Sequence, residues 1–172
     1  MKFEVNGHNG YRGKTVLCQA VVMKILGIKD LNIINDRFPW IFEIMHNKYG
    51  RISVKQSMAK GVGHTEAYRF VTENHKKNKK YNSRIECDTY FLLCFDLDWK
   101  NIEKTYILPN QGRIKYIENI TISKNTYSSS YDEFKIDHVS YNDELHSIMK
   151  FIEKNGKVII VDTEDVKKWL KM

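Results

Sequence analysis

Cysteines are few in this chain and follow no pattern. Cys18, Cys87 and Cys94 are an odd number in no metal-ligand spacing. Cys18 and Cys94 sit inside apolar runs, where they read as small core residues. No disulfide framework is implied, and a reducing, cytoplasmic setting is expected. No apolar stretch approaches the length of a membrane span, and residues 1–7 contain no apolar leader core. The histidines also lack ligand spacing. His64 and His75 have no nearby Cys or His partner, which argues against zinc or a His-based mechanism. There is no repeat and no low-complexity segment.

What is present describes a folded, basic protein. A length of 172 residues fits one domain, read as a core over 1–139 with a helix–strand–helix extension over 140–172. A hydrophobic fraction of 42%, with 12% aromatic residues, supplies a core and excludes a disordered tail. The net charge of +7 suits a polyanionic partner, because Lys and Arg that neutralise phosphates release counterions. The chain is also rich in Lys, Ile and Asn throughout, so charge alone does not identify the partner.

Local patterns give an order of elements. Lys2–Val5 reads as a short strand, and Gly7, Gly10 and Gly13 as a loop. Thr15–Leu26 is apolar nearly all round and reads as a buried helix stopped by Gly27. Trp40–Met45 and Arg51–Gln56 read as strands joined by a tight turn ending in Gly50. Ala67–Val71 is a further strand, and the lysine-rich His75–Tyr81 is a solvated loop. Thr89–Phe95 is continuously apolar, hence a central strand buried on both faces. Thr105–Leu108 is its expected neighbour, ended by Pro109. Ser123–Asp132 reads as a loop and Asn142–Lys154 as an amphipathic helix. Val158–Val161 reads as a strand, and Asp162 caps a last helix through Leu170. The sum is a single α/β domain with a mixed central β-sheet flanked by helices.

The hairpin carries the chemistry. An acid, Glu43, ends the first apolar run, and Ser53 and Lys55 lie two apart on the second, hence on one strand face. A carboxylate such as Glu43 is a hard ligand suited to Mg²⁺ or Mn²⁺, which generates hydroxide for phosphodiester hydrolysis. A lysine beside it stabilises the developing charge on phosphorus. The ordinary alternative is a Glu43–Lys55 ion pair on an unremarkable hairpin.

These residues resemble the PD-(D/E)xK nuclease superfamily, the restriction-endonuclease-like fold shared with Holliday-junction resolvases. The likeness is nearest to small phage and archaeal endonuclease-like proteins. It rests on Glu43 and on Tyr49-Gly50-Arg51-Ile52-Ser53-Val54-Lys55. It continues through Cys87-Asp88-Thr89-Tyr90-Phe91-Leu92-Leu93-Cys94-Phe95-Asp96 and Tyr106-Ile107-Leu108-Pro109, and more weakly Tyr141-Asn142-Asp143. The resemblance implies a DNA endonuclease acting on double-stranded or branched DNA, often as a homodimer that cuts both strands. Glu43 would hold the metal, Lys55 would polarise the attacked phosphate, and Ser53 and Gln19 would orient water or the outer shell. The chain departs from the family pattern in three places. Glu43 stands for the usual Asp and Ser53 for the usual second acid, and the helix offers Gln19 where a Glu is usual. Asp36 is a candidate to complete the shell. With Ser53 in an acid's place, a DNA-binding protein that has lost catalysis on the same fold is the alternative.

Other signals point to phosphate. Lys76, Lys77, Lys79 and Lys80, with Lys60, Arg69 and Arg84 nearby in sequence, form a candidate phosphate-contacting flap, or simply a solvated loop. Gly7-His8-Asn9-Gly10-Tyr11-Arg12-Gly13-Lys14-Thr15 resembles a nucleotide-binding P-loop, but His8 stands where the motif needs glycine. That loop, through Lys14, could instead hold a DNA phosphate. Asp96 and Asp98 read as turn-forming acids. Residues Tyr127–Tyr131 could stack on bases or form an ordinary loop.

Overall fold

The computed structural model describes residues 2–5, 11–27, 44–61, 66–71, 87–110, 119–125, 130–155 and 158–161. Its centre is a mixed five-stranded sheet built around β5 (Thr89–Phe95), every residue of which is buried. A run of Thr, Tyr, Phe, Leu, Leu, Cys and Phe has no polar alternate to offer water, so it is stable only between two layers. The sheet order is β2 (Ile44–His46), β3 (Gly50–Met58), β5, β6 (Ile102–Pro109) and β8 (Lys135–Ile136). β2 and β3 form an antiparallel hairpin, β3 runs parallel to β5, and β6 returns antiparallel to β5. The expected neighbours over Arg51–Gln56, Thr89–Phe95 and Thr105–Leu108 are thus adjacent. Residues 40–43 of the expected first hairpin strand lie outside the described residues.

The two faces of β5 carry different layers. Phe91, Leu93 and Phe95 pack with Ile52 and Val54 against α1 (Tyr11–Ile25) and α2 (Val139–Asn155). The α2 contribution is Tyr141, Leu145 and Ile148, the i, i+4, i+7 stripe of an amphipathic helix. Tyr90, Leu92 and Cys94 face the opposite way, with Tyr106 and Leu108. They are covered by a two-stranded antiparallel ribbon of β4 (Ala67–Val71) and β7 (Asn119–Ser123). Among the described residues, both helices therefore lie on one face, and strands cover the other. The remaining described strands, β1 (Lys2–Val5) and β9 (Val158–Val161), pair antiparallel.

Several expected boundaries move. α1 starts at Tyr11, so Gly13 is helical and the glycine loop is shorter than the sequence suggests. Its end is as expected: Gly27 adopts φ +58° and donates to the Lys24 carbonyl at 3.1 Å. β6 begins earlier than expected, at Ile102, and its register shifts by a β-bulge between Cys94 and Phe95. Asn142 of α2 holds that start, accepting from the Ile102 N–H at 2.6 Å and donating to its carbonyl at 2.8 Å. Ser123, expected in a loop, ends β7, and Asp132–Phe134 form a 3-10 turn. The expected final helix from Asp162 lies outside the described residues. No helix among those described is long and apolar enough to cross a membrane.

Candidate functional site

β3 positions the candidate residues. Ser53 pairs with Tyr90 and Lys55 with Leu92, so both side chains share the ribbon-side face of the sheet with Tyr90 and Leu92. Ser57, two further on, confirms the direction, since its Oγ accepts from the Arg69 N–H of β4 at 3.0 Å. Ile52 and Val54 alternate onto the helix side. Ser53 is fully buried, and its Oγ has no hydrogen-bond partner among the described residues. A buried hydroxyl without a partner ordinarily costs about 1–3 kcal/mol, so its retention calls for an explanation. Lys55 is half-buried.

Asp88 organises the head of this row, a role the sequence did not disclose. Its Oδ2 accepts from the Arg51 backbone N–H at 2.8 Å and from Arg51 Nε at 3.0 Å, while Oδ1 accepts from Arg51 Nη2 at 2.9 Å. The Asp88 N–H returns a bond to the Arg51 carbonyl at 2.7 Å. Arg51 side-chain hydrogen bonding above all holds the Asp88 carboxyl below the usual carboxylate range, against a smaller upward push from burial. Thr89 Oγ1 adds a bond to the Tyr49 carbonyl at 2.8 Å. Gly50 adopts φ +65°, and a Cβ there would lie 2.5 Å from Asp88 Oδ2. Glycine is thus required twice, by the backbone turn and by the carboxylate packed over it. The turn itself carries a stack of His46 on Tyr49, with Lys48 Nζ 5.1 Å from the Tyr49 ring centre.

Gln19 does not join Ser53 and Lys55. It is buried on α1, which packs against the face bearing Ile52 and Val54. Thr15, one helical turn earlier, receives a hydrogen bond from Gln56 Nε2 at 2.7 Å on that same face. The sheet therefore lies between Gln19 and the Ser53 side of β3. A sequence pattern cannot reveal this, because the facing of a helix on a sheet is a tertiary property.

The other candidates separate clearly. Lys60 and Arg69 are exposed; Lys60 pairs through its backbone with Ala67. Lys14 falls in the first turn of α1. Glu43, Asp36, Lys76, Lys77, Lys79, Lys80 and Arg84 lie outside the described residues. Asp96 is a turn acid, as expected: it accepts from the Lys100 N–H, the Asn101 N–H and Asn101 Nδ2 at 2.8, 3.1 and 2.7 Å. Burial pushes its carboxyl up, but these bonds together pull it below the usual range.

Donors for a divalent cation are sparse. Among the described residues no three His, Cys, Asp or Glu side chains converge. Asp88 is committed to Arg51, and Ser53 offers only a hydroxyl, a weak ligand for a hard cation. The described residues alone do not make a metal site. Nor do residues 11–13 make a P-loop, because Tyr11, Arg12 and Gly13 are already helical and cannot wrap a phosphate ahead of the helix.

No family model matches this chain, and no curated protein matches it. Among solved structures, it is similar to a bacterial homing endonuclease, I-Ssp6803I, at 15% identity. The match covers 83% of this chain and 93% of that one, with a TM-score of 0.47. A likeness of that degree leaves the reading of this chain to its own residues.

Proposed function

We propose that this protein is a DNA endonuclease of the restriction-endonuclease-like, PD-(D/E)xK kind. The observation that carries the reading is the row on β3: Ser53 and Lys55 share one face, next to a tight hairpin and a fully buried parallel strand. The Ser53 hydroxyl in that row is buried and without a described partner. The charge of +7 supplies the electrostatic attraction to duplex or branched DNA. Lys55 would stabilise charge developing on the attacked phosphate, and Ser53 would orient the attacking water. Glu43 and the phosphate oxygens of the substrate would hold Mg²⁺ or Mn²⁺, which when bound supplies Lewis acidity and an activated water. A homodimer cutting both strands belongs to the same proposal.

A second reading has its own support. Ser53 stands where a second acid would strengthen the cation site, which favours a DNA-binding protein without catalysis on the same fold. Incubation of supercoiled plasmid with the protein and Mg²⁺ or Mn²⁺, with EDTA as control, separates the two. Nicked or linear product only with the metal supports the nuclease. Retarded but intact plasmid supports the binding protein.

A further inference from the structure

We propose that the β4–β7 ribbon is a sequence-reading element that lies in the major groove of duplex DNA, with Arg69 and Thr121 contacting base edges. The proposal rests on the DNA-binding reading above and adds where, and in which groove, the duplex is read.

The ribbon has two unlike faces. Inward, Tyr68, Phe70, Ile120 and Ile122 are essentially fully buried on the central sheet. Outward, Arg69 and Thr121 stand directly opposite each other across the strands, both exposed, and Val71 beside them is 54% exposed. No carboxylate among the described residues pairs with Arg69, whereas Arg51 is bound to Asp88. The outward row thus offers an arginine fork, a hydroxyl and a branched apolar group. That is the set that reads guanine O6 and N7, a polar base edge and a thymine methyl.

Size and rigidity fit. Five residues per strand at about 3.4 Å each give a rod about 17 Å long. A two-stranded ribbon is what the roughly 12 Å major groove of B-form DNA admits, and the deep, narrow groove of A-form RNA does not. The ribbon is pinned to the sheet on several sides. The Arg69 N–H donates to Ser57 Oγ at 3.0 Å, and the Tyr68 hydroxyl donates to Glu103. Lys124 pairs with Glu103 at 3.3 Å, and Lys104 Nζ donates to the Ser123 and Lys124 carbonyls at 3.3 and 2.9 Å. Side chains on a ribbon so held are presented without the entropy cost of ordering a loop.

Charge points to the same occupant. At its Val71 end the ribbon leads in sequence into Lys76, Lys77, Lys79, Lys80 and Arg84, against Glu73 and Glu86. Exposed Lys60 lies at the Ala67 end, bridged to that residue. In the sequence, cations thus flank an outward row that carries Arg69 and Thr121 and no carboxylate, which suits a groove whose floor is bases and whose walls are phosphates.

The test is selection from a pool of random-sequence DNA duplexes, without Mg²⁺ and with EDTA, followed by sequencing of the bound fraction. Wild-type protein should enrich a motif. Arg69→Ala should lose preference at one base pair by about tenfold or more, with a much smaller loss of affinity for the unselected pool. Thr121→Ala should relax a neighbouring position. Both residues are exposed and outside the core, so the variants fold. An unchanged motif in both variants, no motif in the wild type, or tighter binding to the matching RNA duplex overturns the ribbon assignment. No binding to the pool overturns it together with the DNA-binding reading; binding without a ribbon-dependent motif overturns the ribbon alone.

Discussion

Gly50→Ala tests whether the hairpin is held by Asp88. At φ +65° an alanine adopts a left-handed backbone that costs about 1–2 kcal/mol. Its Cβ would also meet Asp88 Oδ2 at 2.5 Å and Cγ at 2.9 Å, so the carboxylate must leave Arg51. The Arg51 and Asp88 side chains are 34% and 47% exposed, so solvent screens the pair and its loss is worth about 1 kcal/mol. The total, about 2–3 kcal/mol, should lower Tm by about 5–10 °C for a chain of this size. In an Asp88→Ala background the same change should cost the backbone term and the remaining contact with the residue-88 Cβ at 2.9 Å, but not the lost ion pair, leaving a coupling of up to about 1 kcal/mol in a double-mutant cycle by thermal unfolding. The coupling should depend on pH. Asp88 has a lowered folded pKa, so its stabilisation is complete above its unfolded value near 4 and is lost as pH falls through the folded value. Equal cost of Gly50→Ala in both backgrounds at neutral pH would refute the clamp.

The remaining expectations are shorter. Ser53→Ala should be neutral or stabilising by up to about 1 kcal/mol in thermal unfolding, because it removes a buried hydroxyl with no described partner. A loss above about 2 kcal/mol would show that the hydroxyl is satisfied. Ser53→Asp should strengthen Mg²⁺ binding in calorimetry by adding a carboxylate, and unchanged binding would place the cation elsewhere. Changing Lys76, Lys77, Lys79 and Lys80 together to Ala should flatten the salt dependence of duplex binding by about 0.9 per lost phosphate contact, and an unchanged slope removes these lysines from the interface. Burial raises the phenols of Tyr68, Tyr106 and Tyr141, with Tyr106 pushed up to about 12. Stability should therefore be intact below pH about 10 and fall above it, as unfolded tyrosines lose protons that the folded ones keep. Flat stability to pH 12 would contradict that burial.

The legible part of the fold was its most apolar part. Thr89–Phe95 declared itself a central strand because seven bulky residues without a polar alternate allow no exposed face. Val158–Val161 and Ala67–Val71 were readable for similar reasons. β7 does not stand out in the sequence although Ile120 and Ile122 alternate, because Asn119, Thr121 and Ser123 dilute the pattern to five residues. The early start of α1 is hidden by Gly13, which reads as loop locally but is carried by a helix whose later turns, from Leu17 on, are buried against the sheet. In the site, strand periodicity was enough to place Ser53 and Lys55 on one face. It could not give the Asp88–Arg51 clamp, whose partners are 37 residues apart. Nor could it say which sheet face α1 would cover, and that choice separates Gln19 from the row.

The central claim turns on Lys55. The direct measurement is the single-turnover cleavage rate of a duplex by Lys55→Ala in Mg²⁺, set beside its affinity for the same duplex in EDTA. Charge stabilisation at the transition state predicts a rate loss of about a hundredfold or more with affinity nearly unchanged. A Lys55→Ala protein that cuts as fast as the wild type would contradict the mechanism.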